Sequence, residues 1–116
     1  MSELAKEAIN GTSDIVASSC FSYPSTKWTT GWTNIATFDV SGYNYTKFSC
    51  HAYDPVGNVF NQIIAELDTI FENQSPLGTN YYTYYRIILS GGALFLQRKA
   101  NSTNSRSQVV GAFQIW

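Results

Sequence analysis

Two runs rich in aromatic and β-branched residues, 81–89 and 93–98, flank Ser90-Gly91-Gly92 and carry the clearest pattern in the chain. A Gly-Gly pair between such runs predicts a two-residue β-hairpin, because glycine accepts the positive φ that primed turns need. The register then sets Ser90 against Ala93, Leu89 against Leu94, Ile88 against Phe95, Ile87 against Leu96 and Tyr85 against Arg98. One face carries Tyr85, Ile87, Leu89, Leu94 and Leu96; the other carries Tyr84, Arg86, Ile88, Phe95 and Gln97. Neither face is cleanly polar. One side is expected in the core, and part of the other against a second sheet, a subunit or a ligand.

Elsewhere the pattern is weaker. Residues 3–9 read as a short helix, with Leu4 and Ala8 at i, i+4, ended by Asn10-Gly11. Residues 12–31 are rich in Ser and Thr, with a turn expected at Tyr23-Pro24-Ser25 and with Trp28 and Trp32 bracketing Thr29-Thr30-Gly31. Residues 34–40 alternate with Ala36, Phe38 and Val40 inward, and 45–53 alternate with Thr46, Phe48, Cys50 and Ala52 on one side. Ser41-Gly42-Tyr43-Asn44 between them predicts a second hairpin. Asp54-Pro55-Val56-Gly57-Asn58 reads as a turn. Over 59–71, Phe60, Ile63, Ile64, Leu67, Ile70 and Phe71 fit a helical stripe, while Ile63, Ala65, Leu67, Thr69 and Phe71 also make one face of a strand. A turn-rich stretch spans 72–79, 101–105 is a loop, and 108–116 is a last strand.

Composition narrows the function. Charged residues are 13% against roughly 25% in an ordinary domain, and aromatics reach 16%. A surface of Ser, Thr, Asn, Gln and Tyr suits neutral-polar recognition or a subunit interface. A net charge of −1 with seven scattered basic residues gives no footprint for nucleic acid or an acidic membrane. No run approaches a membrane span, and the first residues lack the basic and apolar regions of a secretory signal. The 116 residues make one domain, 17–116, preceded by a helix and linker, 1–16. Cys20 and Cys50 read as two buried free thiols in preference to a bridge.

Candidate chemistry is sparse. Glu66 and Asp68, at i, i+2 on a strand, stand roughly 7 Å apart by strand rise, which reads as a solvated face rather than a glycosidase pair. His51 beside Cys50 points to the opposite face of a strand and has no orienting acid. No metal-ligand spacing, phosphate loop or cofactor motif is present, so neither a cofactor nor enzymatic activity is expected. Four glycosylation-like triplets, at Asn10, Asn44, Asn73 and Asn101, fit chance in a chain this rich in Asn, Ser and Thr. Aromatic platforms remain, because the C–H faces of sugars lie flat on Trp and Tyr while amides and cations take the hydroxyls. The candidates for such ligand contact are Trp28, Trp32, Tyr43, Tyr81, Tyr82 and Tyr84, with Asn80 and Arg86 as polar company.

Thr33-Asn34-Ile35-Ala36-Thr37-Phe38 after a Trp-rich lead, Ser75-Pro76-Leu77-Gly78 before a strand, a hairpin ending in Phe95-Leu96-Gln97-Arg98 and a finish on Phe113-Gln114-Ile115-Trp116 together resemble the C-terminal domains of bacteriophage tail fibres and tailspikes. The short helix followed by 10–16 resembles the linker that precedes such tips. The resemblance implies an all-β, jelly-roll-like antiparallel sandwich, with 59–71 a strand, assembled as a homotrimer on the virion and binding bacterial surface polysaccharide. It transfers no binding residues. The N-terminal helix would help to clamp three chains, and a trimer would account for the apolar second face of the hairpin. The rivals are a purely structural trimerisation or folding domain and a carbohydrate-binding module of a secreted enzyme.

Overall fold

The computed structural model describes residues 7–8, 10–11, 15–54, 59–64, 70–74 and 82–116. The described residues form β1 (Glu7–Ala8), β2 (Asn10–Gly11), β3 (Ala17–Lys27), β4 (Thr33–Asp39), β5 (Phe48–Tyr53), β6 (Val59–Ile64), β7 (Ile70–Gln74), β8 (Tyr82–Ser90), β9 (Ala93–Ala100) and β10 (Arg106–Ile115). One antiparallel sheet is built on β3-β10-β5 and the other on β4-β9-β8, with β6 and β7 each pairing at one edge. The described chain is therefore all-β. Of the helix expected over 3–9, positions 3–6 and 9 lie outside the described residues; Glu7 and Ala8 are extended and pair with Asn10 and Gly11.

Alternation decides which side of each strand is buried. Ile35, Ala36 and Phe38 from β4, Tyr85 and Ile87 from β8, and Leu94 and Leu96 from β9 meet Phe48, Cys50 and Ala52 from β5 and Val109, Phe113 and Ile115 from β10 in one core. Phe38 and Phe113, on different sheets, have ring centroids 6.0 Å apart. Each large apolar side chain so buried contributes about 1.5–3 kcal/mol, so the facing of the two sheets is the main source of stability.

The Tyr hairpin has the expected register throughout, from Ser90↔Ala93 to Tyr85↔Arg98. Gly91 and Gly92 have φ of 59° and 80°, as a primed turn requires. Tyr85, Ile87, Leu94 and Leu96 are buried, while Leu89, at the tip of the same face, is exposed. The hairpin lies between β4 and β7.

Other expectations need correction. Residues 34–40 and 45–53 do not form a hairpin: β4 pairs with β9, and β5 pairs with β10 and β6 in the other sheet. Residues 40–47 are long enough to cross between sheets, and that crossing lets Phe38 and Phe48 face the core from both sides. No turn forms at Tyr23-Pro24-Ser25, which lies within β3. There the register steps from Ser107↔Thr26 to Val109↔Tyr23, so Pro24 and Ser25 oppose Gln108 in a bulge. An edge strand tolerates proline there because its missing N–H faces no partner. Residues 59–71 are extended where described, but as two strands, β6 and β7, in different sheets; 65–69, with Glu66 and Asp68, lie outside the described residues. Of the turn at 54–58, only Asp54 is described. Thr46 is exposed although Phe48, Cys50 and Ala52 are buried as expected.

Both cysteines are free, but only Cys50 is buried. Cys20 pairs with Ala112 and Cys50 with Phe113, on opposite sides of β10. Two strand spacings, about 9–10 Å, exceed the Cα separation a disulfide can span.

Candidate functional site

The β3–β4 loop, the β9–β10 loop and the beginning of β8 meet at one end of the molecule. Backbone hydrogen bonds stitch them together: Trp28 N to Ser105 O at 2.9 Å, Ala100 N to Thr29 O at 2.8 Å and Asn101 N to Tyr82 O at 3.2 Å. Asn101 Oδ1 accepts in turn from Tyr82 N at 2.9 Å.

Beneath these loops lies a buried polar cluster. The Asp54 carboxylate, 1% exposed, accepts from Tyr85 Oη at 2.6 Å and from Ser107 Oγ at 3.0 Å. Trp28 Nε1 donates to Ser107 Oγ at 2.9 Å, and Arg98 Nη1 reaches Ser107 O and Oγ at 3.3 and 3.2 Å. Arg98 Nη2 donates to Thr26 Oγ1 at 3.3 Å, with its guanidinium 5.7 Å from the centre of the Tyr23 ring. The cluster ties residues following β5 and on β10 to β8 and β9, and so pins one sheet to the other below the loops. Burial first, then the charge of Asp54, pushes the Tyr85 phenol above its ordinary value.

Above the cluster, the outward face of β4-β9-β8 carries rings and cations. Trp32 lies 4.2 Å from the Arg86 guanidinium and 4.9 Å from Lys99 Nζ. Arg86 Nε donates to Gln97 Oε1 at 2.7 Å, and Gln97 Nε2 donates to Asn34 Oδ1 at 2.8 Å, a polar ladder crossing all three strands. Tyr82 and Tyr84 stack at 6.5 Å with a 29° interplanar angle, and Lys99 Nζ sits 5.7 Å from the Tyr84 ring centre. Trp32, Tyr82, Tyr84, Arg86, Gln97 and Lys99 are all half-buried. Next to them, Thr30, Ile70, Tyr84, Lys99, Ala100 and Asn101 line an open groove of about 450 Å³. A face of this kind can stack flat apolar surfaces and hydrogen-bond hydroxyls.

The structure brings together four of the eight residues anticipated for ligand contact: Trp32, Tyr82, Tyr84 and Arg86. Trp28 is not among them, because it is 1% exposed and its indole N–H is spent on Ser107. Tyr43 is exposed, but it stands at the opposite end, against Phe38. Asn80 and Tyr81 lie outside the described residues. Sequence reasoning missed Asn34, Gln97, Lys99, Thr30 and Ile70; extending the hairpin register by one more pair, Tyr84↔Lys99, would have found the lysine.

Conventional chemistry gains nothing from the geometry. Cys50 is buried and His51 exposed, as strand alternation dictates. Among the described residues no group of His, Cys, Asp and Glu has the spacing to hold a metal ion, and no helix is long and apolar enough to cross a membrane. The chain matches no family model, no curated protein and no solved structure.

Proposed function

We propose that this chain is the β-sandwich receptor-binding tip of a bacteriophage tail fibre or tailspike, a homotrimer displayed on the virion that recognises bacterial surface polysaccharide without chemically altering it. The observation that carries this reading is the half-exposed Trp32–Arg86–Lys99–Tyr84–Tyr82 face with its cross-strand amide ladder. The outer strands nest, β3 with β10 and β4 with β9, as in a jelly roll, while β5-β6 and β7-β8-β9 pair as sequence neighbours. At the end opposite the loops, Ile15, Val16 and Leu89 are exposed. Exposed apolar residues at this end, two of them where the chain leads into β3, fit a contact between three copies, and so favour assembly over a monomeric carbohydrate-binding module.

The test is binding of the intact chain to a panel of bacterial surface polysaccharides. Binding is expected to one class and to fall by about two- to tenfold in Tyr84→Ala and in Trp32→Ala, since stacked rings contribute about 0.5–1.5 kcal/mol beyond area burial. Binding unchanged in both variants, or hydrolysis of the polymer, would sink the reading.

A further inference from the structure

We infer that the groove beside Tyr84 and Lys99 takes an acidic sugar unit, with its carboxylate on the Lys99 ammonium, its ring against Tyr84 and its apolar edge toward Ile70. This rests on the glycan reading above and adds the chemical class of the ligand.

The argument is electrostatic. Although the chain as a whole is slightly acidic, the outward face of β4-β9-β8 presents two cations, Arg86 and Lys99, whose contacts are rings and one amide: Trp32 and Gln97 for Arg86, Trp32 and Tyr84 for Lys99. Among the described residues neither cation meets a carboxylate. The two acids whose side chains are described are engaged elsewhere. Asp39 accepts from Ser41 N and Oγ at the far end of the sheet, and Asp54 is buried under Tyr85 and Ser107. A neutral sugar covering Lys99 would strip water from an ammonium and give it no counter-charge, which costs affinity. An acidic sugar replaces that water with a charge-assisted hydrogen bond, among the strongest available to a protein surface. The groove's size lies within the range of small-ligand sites, roughly 300–1,000 Å³, and its rim is held by the Ala100–Thr29 and Asn101–Tyr82 backbone bonds.

The experiment titrates the intact chain with matched oligosaccharides, each as the free uronic acid and as its neutral methyl ester. The expected result is a preference of about tenfold or more for the free acid, weakened by added salt. Lys99→Gln should erase the preference and Lys99→Arg should keep most of it. Acids and esters bound alike, or a preference that survives Lys99→Gln, overturns the inference while leaving glycan recognition standing. Binding of no sugar in either form overturns both.

Discussion

Asp54 keeps its carboxylate almost wholly out of water, with the hydroxyls of Tyr85 and Ser107 among the donors that make that tolerable. Removing one such donor from a buried carboxylate costs about 1–3 kcal/mol. Tyr85→Phe is therefore expected to lower the urea midpoint by that equivalent, with near-UV dichroism reporting an intact core. The same residue sets a pH dependence. Burial and Asp54 raise the folded Tyr85 value above the ordinary 10.0, and burial pushes Cys50 up to about 12 from 9.0. The unfolded chain therefore gives up these protons first. Their stabilisation is complete below pH 9 and declines as pH rises through 9 to 12. Urea midpoints measured upward from neutrality should fall in that window, and less steeply in Tyr85→Phe. The thiols should also separate kinetically: a disulfide reagent titrates Cys20 quickly in the native protein and Cys50 only on unfolding, because Cys20 is exposed and Cys50 is not.

Among the elements, the Tyr hairpin was legible because two signals agreed, alternation in both arms and a glycine pair between them. The register they imply is the register observed, including the burial of Tyr85 and Ile87. β3 was illegible for a physical reason. As an edge strand it buries its inward residues, Ala17, Ser19, Phe21 and Tyr23, only partly, four of its eleven residues are serine, and its proline sits in a bulge. Residues 40–47 misled because a Ser-Gly turn looks the same whether the chain doubles back within a sheet or crosses to the other. Two glycines report on element packing. A Cβ on Gly92 would come within 2.9 Å of Ser41 Cβ at a φ of +80°, and one on Gly111 would collide with His51 O and approach Ala52 Cα and the Phe21 ring at 2.9 Å. Gly111→Ala drives apart the backbones of β10 and β5, whereas Gly92→Ala disturbs one turn. Both should lower the melting temperature, Gly111→Ala by the larger amount.

For the whole molecule, alternating runs marked most of the strands and the resemblance implied a sandwich, but the sheet to which each strand belongs was not legible, since alternation marks a buried side without naming the partner. The ring-and-cation face shows the same limit. Trp32, Tyr82, Tyr84 and Arg86 were recognisable by residue type, whereas Trp28 has the same type and is committed to the core by a hydrogen bond between residues 79 apart in sequence. Assembly is predicted at this scale. Light scattering should give three times the chain mass of 12.9 kDa, with dissociation favoured by Ile15→Asp or Val16→Asp and by removal of residues 1–12; a monomer throughout would remove the trimer from the proposal.

β10 is an interior strand of its sheet, between β3 and β5, and Ala17 at the head of β3 pairs with Ile115 at its far end. On the ribosome, β10 emerges after every other described strand. Until it does, β3 and β5 have no neighbour to share, while the β8-β9 hairpin, being local, can close at once. Synthesis thus divides the domain in time: the sheet carrying the ring-and-cation face can pair β9 with β4 and β8 while its counterpart still waits for one segment. Contacts of such long sequence separation fold slowly, and the waiting edges of β3 and β5 are the surfaces a nascent chain would expose to chaperones or to neighbouring chains.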